Sequence, residues 1–386
     1  MPWAPGDTIG PVSVGPPAHG GHCVARVDGR VVFVRHALPG EVVEVRITED
    51  IHASYARGDA VAILEAAPGR VVAPCPVAGS GGCGGCDLQH ADLETQRELK
   101  RQIIAEQLRR LARCEWTGTV EAVPDVATDG LGYRTRMRYQ VTPEGRLGLR
   151  EHRSHEVVML PGDGCLLAHP DQPEQTGLYE PGTEVVVAGR GERSAVLVDG
   201  NLVAGTKTLV EQAAGRSFRV AADGFWQVHE AAADTLVTAV MAGLEPREGE
   251  TAWDLYCGVG LFAGPLIDAG CHVRGVESSG RAVRDAARNV PQADFEAGRV
   301  ELVIRRWPSR VDLVVCDPPR TGLGKAVVEQ VVRRKPRRVA YVACDPAALA
   351  RDVGTFQSAG YHVESLRAFD IFPMTQHVEC VAILGP

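Results

Sequence analysis

The stretch "YVACDPAALARD" places Cys344 directly after an apolar run and directly before a helical pattern. An apolar run of this kind between helices reads as a parallel strand, and open α/β sheets put their chemistry just beyond the C-terminal ends of such strands. The positive end of the following helix favours thiolate over thiol, so Cys344 reads as a nucleophile rather than a packed strand-end cysteine. Near the C-terminus, "QHVECVAIL" carries Glu379 inside an otherwise apolar strand. An acid there is costly to bury unless it is paired or used, which points to a raised pKa and proton transfer. His377, two residues earlier on the same strand face, is the weaker candidate for that work.

A cofactor loop lies upstream. In "DLYCGVGLFAGPLIDAGCHVRGVES" a strand ends at Tyr256, Gly258 and Gly260 follow, and the next strand ends at Glu277. Glycines let the backbone approach a ligand, and an acid at the second strand's end suits a ribose diol. The dinucleotide spacing G-x-G-x-x-G is missing, because position 263 is Ala and the next Gly is 264. Asp254 stands just before the loop, where an acid can meet the amino-acid end of S-adenosylmethionine, which is therefore the expected cofactor. "CDPPR" closes a further strand with Asp317. An aromatic after Asp-Pro-Pro would suit methylation of an exocyclic amine stacked on it; Arg320 stands there and implies another acceptor atom.

A thiol nucleophile, a carboxylate base and a methyl donor converge on one chemistry. Carbon 5 of uracil is too weak a nucleophile to take a methyl group, but a thiolate adding to carbon 6 creates an enolate that is strong enough. A base must then remove the carbon 5 proton so that the thiol can leave. Cys344 and Glu379 supply these two roles.

"CPVAGSGGCGGCDLQH" clusters Cys75, Cys83 and Cys86 on a glycine-rich loop with little to pack. C-x-x-C with further cysteines suits zinc, and it suits an iron–sulfur cluster as well. In "GYRTRMRYQV" strand alternation sends Arg134, Arg136 and Arg138 to one face, as either a phosphate-binding surface or an ordinary solvated edge.

The elements that must position these residues fall into three expected units. Residues 1–70 read as short strands with turns at barrel spacing, a five-stranded barrel of OB type. Residues 71–222 form a β-rich central unit with the cysteine loop, and a helix at 91–114 that can pack on the catalytic unit. Residues 223–386 alternate strands and helices as a Rossmann-like, doubly wound sheet, closed at its edge by an antiparallel hairpin. The fold class is thus α/β, with a small barrel in front. A chain of 386 residues with 45% hydrophobic residues can bury several cores. No leader and no membrane-length apolar run stands out, and 11 cysteines, most of them scattered singly, argue against a disulfide scaffold, so a cytoplasmic protein is expected; a monomer is the default expectation, since the sequence carries no signal for assembly. A net charge of −8 excludes a globally basic nucleic-acid binder but not a local basic patch.

The motifs "GFWQVH", "DLYCGVGLF", "CDPPRTGL", "YVACDPAALARD" and "HVECVAIL" together resemble the RNA 5-methyluridine methyltransferases, uracil-carbon-5 enzymes of bacterial 23S ribosomal RNA and tRNA. The resemblance covers nearly the whole chain. It implies a class I methyltransferase domain in which Gln227, Tyr256, Gly258, Glu277 and Asp317 contact S-adenosylmethionine, Cys344 is the nucleophile and Glu379 the base. With the ribosomal-RNA members it implies an N-terminal TRAM barrel that binds RNA and a four-iron, four-sulfur ([4Fe-4S]) cluster on Cys75, Cys83, Cys86 and a distant fourth, Cys165 in "PGDGCLLAHP", with zinc as the chemical alternative. Three features depart from the family pattern: the long gap from Cys75 to Cys83, Leu261 where a polar residue is usual, and Arg299 where an acid is common. The expected partner is RNA, 23S rRNA ahead of tRNA, with the target uridine flipped out of its stack. Competing readings are a tRNA T-loop enzyme, a DNA-cytosine or small-molecule methyltransferase, and a non-catalytic RNA-binding protein with this fold.

Overall fold

The computed structural model describes residues 3–51, 54–123, 129–162, 164–173 and 177–386. Strands β1 (Thr8–Ala18), β2 (His22–Val27), β3 (Arg30–Arg35), β4 (Val42–Ile51) and β5 (Tyr55–Glu65) close into a barrel in the order β1-β2-β3-β5-β4. Alternation does the work. Val43, Val45 and Ile47 on β4 and Val32 and Val34 on β3 point inward and are fully or nearly fully buried, while their neighbours face outward.

The cysteine loop leads into α1 (Leu93–Gln107), capped by Asp92, whose carboxylate accepts from the Thr95 amide at 2.7 Å. Leu99, Ile103 and Ile104 form its buried face, and the helix runs on into a π-helical turn over Leu108–Ala112. A short strand, β6 (Val120–Ala122), follows. Strands β7 (Arg136–Val141), β8 (Leu147–Arg150), β9 (Val157–Met159), β10 (Glu184–Arg190), β11 (Arg193–Val198) and β12 (Asn201–Gly205) make a sheet in the order β12-β11-β10-β7-β8-β9. The next hairpin, β13 (Thr208–Ala213) and β14 (Arg216–Ala221), does not extend that sheet. Its Phe218 and Val220 are buried among catalytic-unit side chains instead, and Arg219 exchanges two backbone hydrogen bonds with the Asn289 amide group.

The remainder alternates α2 (Ala232–Leu244), β15 (Thr251–Leu255), α3 (Ala263–Asp268), β16 (His272–Glu277), α4 (Gly280–Asn289), β17 (Asp294–Ala297), α5 (Val300–Val303), β18 (Leu313–Cys316), α6 (Lys325–Arg333), β19 (Arg338–Ala343), α7 (Pro346–Ser358), β20 (His362–Asp370) and β21 (Glu379–Gly385). The sheet order is β17-β16-β15-β18-β19-β21-β20-β6. Helices cover both faces, so β18 is buried at every position. The order reverses between β15 and β18, the crevice where doubly wound sheets bind ligands. The last two strands pair antiparallel as expected, but they do not close the edge. β21 slots between β19 and β20, and β6 adds an eighth strand parallel to β20, drawn from outside 223–386. The π-helical turn packs on α7 at Gly354, where a Cβ would stand 3.1 Å from the Leu111 carbonyl oxygen; glycine permits that approach.

Candidate active site and cysteine cavity

The loop after β15 opens at the switch point. Tyr256, Gly258 and Gly260 all have positive φ, and a Cβ on Gly258 would meet nothing within 4 Å, so the backbone there faces open space for a ligand. Behind it Asp254 is fully buried, with one carboxylate oxygen accepting from the Ala263 amide at 3.0 Å and the other without a partner among the described residues. Burial holds its pKa well above the ordinary value, with Asp317 and Glu277 adding to the rise. Glu277 ends β16 and accepts from the Ser278 hydroxyl and the Ser279 amide, both at 2.8 Å. Asp317 follows β18, and desolvation pushes it up to about 7. Gln227 is buried just before α2. An orphaned carboxylate oxygen, an open glycine turn and an acid at the end of the second strand fit the amino, methionine and ribose parts of S-adenosylmethionine.

Cys344 and Glu379 come together on the neighbouring strands. Ala343 pairs with Cys380 in the antiparallel β19–β21 ladder, and the next step of that register sets Cys344 opposite Glu379. Glu379 is buried, and one of its oxygens has no partner among the described residues. Burial, reinforced by Asp317 and opposed by Arg320, holds its pKa well above the ordinary value. The Cys344 thiol is pushed up to about 12 by burial and by Glu379 and Asp317, against Arg320. This differs from the expected thiolate: the N-terminal dipole of α7 is present, capped by Asp345 accepting from the Ala348 amide at 2.8 Å, but desolvation and three carboxyls, Glu379, Asp317 and Asp345 itself, act against it.

Arg320 and His377 complete the cleft, together with residues that sequence reasoning passed over. Arg320 donates to His377 at 3.0 Å, and burial holds His377 down to about 4, so the imidazole is neutral and accepts. A cavity of about 100 Å3 beside Cys344 is walled by these two, by Lys100 of α1, and by His19 and Gly20 from the β1–β2 turn of the barrel. His19 pairs with Asp345 at 2.9 Å, fixing the barrel against the residue next to the nucleophile. Only three-dimensional closure brings residue 19 to residue 345; nothing local in "PPAHGGH" signals it.

Cys75, Cys83, Cys86 and Cys165 all line a second cavity, of about 440 Å3. Their sulfurs receive hydrogen bonds from within the loop: Gly85 donates to Cys83 at 3.3 Å and the Gln89 side chain to Cys86 at 3.1 Å. Among the described residues no three histidine, cysteine or acidic side chains converge as a single metal ion requires. Arg134, Arg136 and Arg138 line this cavity too. Carboxylates lie opposite two of them, Glu211 against Arg136 at 2.8 Å and Glu184 against Arg138, so this is not an open basic surface. Phe225, beside Gln227, is 74% exposed at the mouth of the cavity.

Comparison with known proteins agrees with this geometry. Residues 5–61 match the TRAM domain family, and residues 304–385 match the tRNA (uracil-5-)-methyltransferase family. An uncharacterised RNA methyltransferase of Streptomyces avermitilis is 49% identical over 97% of this chain and 98% of its own length. The chain belongs to the RNA 5-methyluridine methyltransferase family. Within this family, a Bifidobacterium longum RNA methyltransferase is 38% identical over 94% of this chain and 93% of its own. The crystal structure of Pyrococcus abyssi tRNA (uracil-54, C5)-methyltransferase in complex with S-adenosyl-L-homocysteine superposes with a TM-score of 0.72 at 25% identity, covering 96% of this chain and 99% of that one. The barrel is a TRAM domain, and the family enzyme is an S-adenosylmethionine-dependent RNA uracil methyltransferase. Among the described residues no helix is long and apolar enough to cross a membrane.

Proposed function

We propose that the protein methylates carbon 5 of a uridine in RNA, and the observation that carries this reading is the β19–β21 register that brings Cys344 opposite Glu379, with Asp317 acting both on this pair and on Asp254 behind the glycine turn. S-adenosylmethionine, when bound by Gln227, Tyr256, Gly258, Glu277 and Asp317, supplies an electrophilic methyl group. Cys344 first gives up its thiol proton to solvent, a loss that Arg320 favours; the thiolate then adds to carbon 6 of the flipped uridine, and the electron pair displaced from the ring double bond makes carbon 5 nucleophilic. Once carbon 5 carries the methyl group, Glu379 takes its proton, the double bond re-forms and the Cys344–carbon 6 bond breaks. Glu379 must be ionised for that last step. A cationic ligand in the neighbouring cofactor site would favour its carboxylate, opposing the burial that raises its pKa in the free protein. The neutral His377 and Arg320 wall the cavity beside Cys344.

The favoured substrate is 23S rRNA, which rests on the TRAM barrel together with the four cysteines; the T-loop of tRNA is the second reading, favoured by the solved structure named for uracil-54 of tRNA. Cys75, Cys83, Cys86 and Cys165 would hold a [4Fe-4S] cluster. Four thiols around a wide cavity, with amide donors on their sulfurs, suit a multi-atom cluster better than one zinc ion. Its contribution would be to shape the central unit, since methyl transfer moves no electrons. Exposed Phe225 offers a stacking surface for a splayed base, and Arg134 stays with the cysteine cavity.

Nucleoside mass spectrometry on 23S rRNA and tRNA transcripts, incubated with the protein and S-adenosylmethionine, tests the reading. The expected result is 5-methyluridine in one of them; methylation at another atom, or in neither RNA despite bound cofactor, would refute it.

A further inference from the structure

The turn between β20 and β21 carries Gln376 and His377 into the nucleophile cleft and delivers Glu379 as the first residue of β21. Its backbone is gripped from residues far earlier in the chain. The Asp87 and Leu88 amides donate to the Met374 carbonyl at 2.9 and 3.0 Å. The Met374 amide donates to the Gln96 side chain at 2.7 Å, and the Gln376 amide to the Asp87 carboxylate at 3.1 Å. Tyr133 donates to the Pro373 carbonyl at 3.1 Å, and Lys100 to that of Phe372 at 3.0 Å. Asp87 and Gln96 are themselves buried, Gln96 completely. Burying a carboxylate and an amide is unfavourable unless each is well bonded; Asp87 is also paired with Arg35 at 3.4 Å and the Gln96 amide donates to the Ala91 carbonyl at 2.8 Å, while one acceptor oxygen of each is given to a main-chain amide of this turn.

We propose that Asp87 and Gln96 are positioning residues for the base: they hold the turn so that Glu379 meets the carbon 5 proton. The inference rests on the uridine-carbon-5 reading above. Addition to carbon 6 uses Cys344, which follows β19, and methyl transfer uses the loop after β15; neither is carried by the turn. Only elimination needs Glu379. In that step the carbon 5 proton passes to Glu379, the electrons of that bond form the carbon 5–carbon 6 double bond, and the carbon 6–sulfur pair leaves with Cys344. A loosened turn therefore slows elimination specifically and leaves the methylated RNA covalently attached to Cys344.

The test uses full-length Gln96→Leu and Asp87→Ala proteins, with Gln96→Glu and Asp87→Asn retaining the accepting oxygens. Each is incubated with methyl-labelled S-adenosylmethionine and the two RNA transcripts, and turnover is read beside labelled protein–RNA adduct on denaturing gels. Expected are turnovers about 10–100-fold lower for Gln96→Leu and Asp87→Ala, accumulation of labelled adduct, and recovery of most turnover in the conservative variants. Asp87 lies in a loop, so Asp87→Ala carries the test should Gln96→Leu not fold. Unchanged turnover, or turnover lost in both without adduct and together with cofactor binding, would overturn the inference and mark the contacts as merely structural. A wild-type protein that methylates neither transcript removes the functional reading and this inference with it; wild-type methylation with adduct-free variants removes the inference alone.

Discussion

The register that pairs Ala343 with Cys380 carries Cys344 to the position opposite Glu379, across the antiparallel ladder that joins β21 to the parallel run β17-β16-β15-β18-β19. The antiparallel strand is what makes the meeting possible. In a wholly parallel sheet the first residue of a strand lies at the rim opposite the chemistry, whereas β21 runs backwards and brings its first residue to the C-terminal rim of β19. Directly opposite side chains have Cβ atoms about 4.5–5.5 Å apart, close enough to address adjacent carbons of one ring.

Glu379→Gln keeps the side-chain volume and removes the base. Turnover should fall by about 10²–10⁴-fold, with methylated RNA remaining bound to Cys344, whereas Cys344→Ala should abolish turnover and adduct together. Denaturing gels with labelled RNA distinguish the two.

Asp317 gives a pH signature. Its folded-state value of about 7 lies above the ordinary 3.8, so folding is favoured by the protonated form: the contribution is full below the ordinary value and lost as pH rises through about 7. Asp317→Asn should therefore stabilise the cofactor-free protein above pH 7 by on the order of 1–2 kcal/mol and leave it unchanged in acid, while weakening cofactor binding. Thermal unfolding across pH checks the first, and cofactor titration the second.

Much of this was legible in the sequence because the relevant signals are local. The barrel strands carry their alternation, the cofactor loop its glycines, and Cys344 its place between an apolar strand and a helix. What was not legible depends on long-range closure. Three residues at Val120–Ala122 become a strand only because β20 offers them an edge, and the β13–β14 hairpin leaves its sheet because Phe218 finds a better burial site near α2. His19 and Lys100 reach the cleft from units that sequence spacing cannot orient. The raised pKa of the Cys344 thiol was not legible because helix polarity is a local property while desolvation and nearby carboxyls belong to the assembled site.

Lys100 and Asp370 form a fully desolvated pair at 2.5 Å that ties α1 to the end of β20. Lys100→Met should cost about 3–5 kcal/mol by leaving the Asp370 carboxylate buried and unpaired. Adding Asp370→Leu should restore most of that loss, as measured by denaturant unfolding.

Purified without oxygen, the protein should contain about four irons and four sulfides per chain. Cys165→Ser should lose most of the iron while retaining binding of S-adenosylmethionine, since the cysteine cavity and the glycine turn are separate sites. Iron and sulfide analysis, with the visible absorption spectrum, decides this; stoichiometric zinc without sulfide would replace the cluster by a zinc site.

The most direct test of the central claim uses transcripts in which 5-fluorouridine replaces uridine, because the fluorine on carbon 5 cannot be removed as a proton and elimination stops. With S-adenosylmethionine present, the account predicts a stable one-to-one protein–RNA adduct carrying the transferred methyl group, its attachment mapped by peptide mass spectrometry to Cys344 and absent from Cys344→Ala. Transfer of the methyl group without a covalent adduct, or an adduct on another residue, would contradict it.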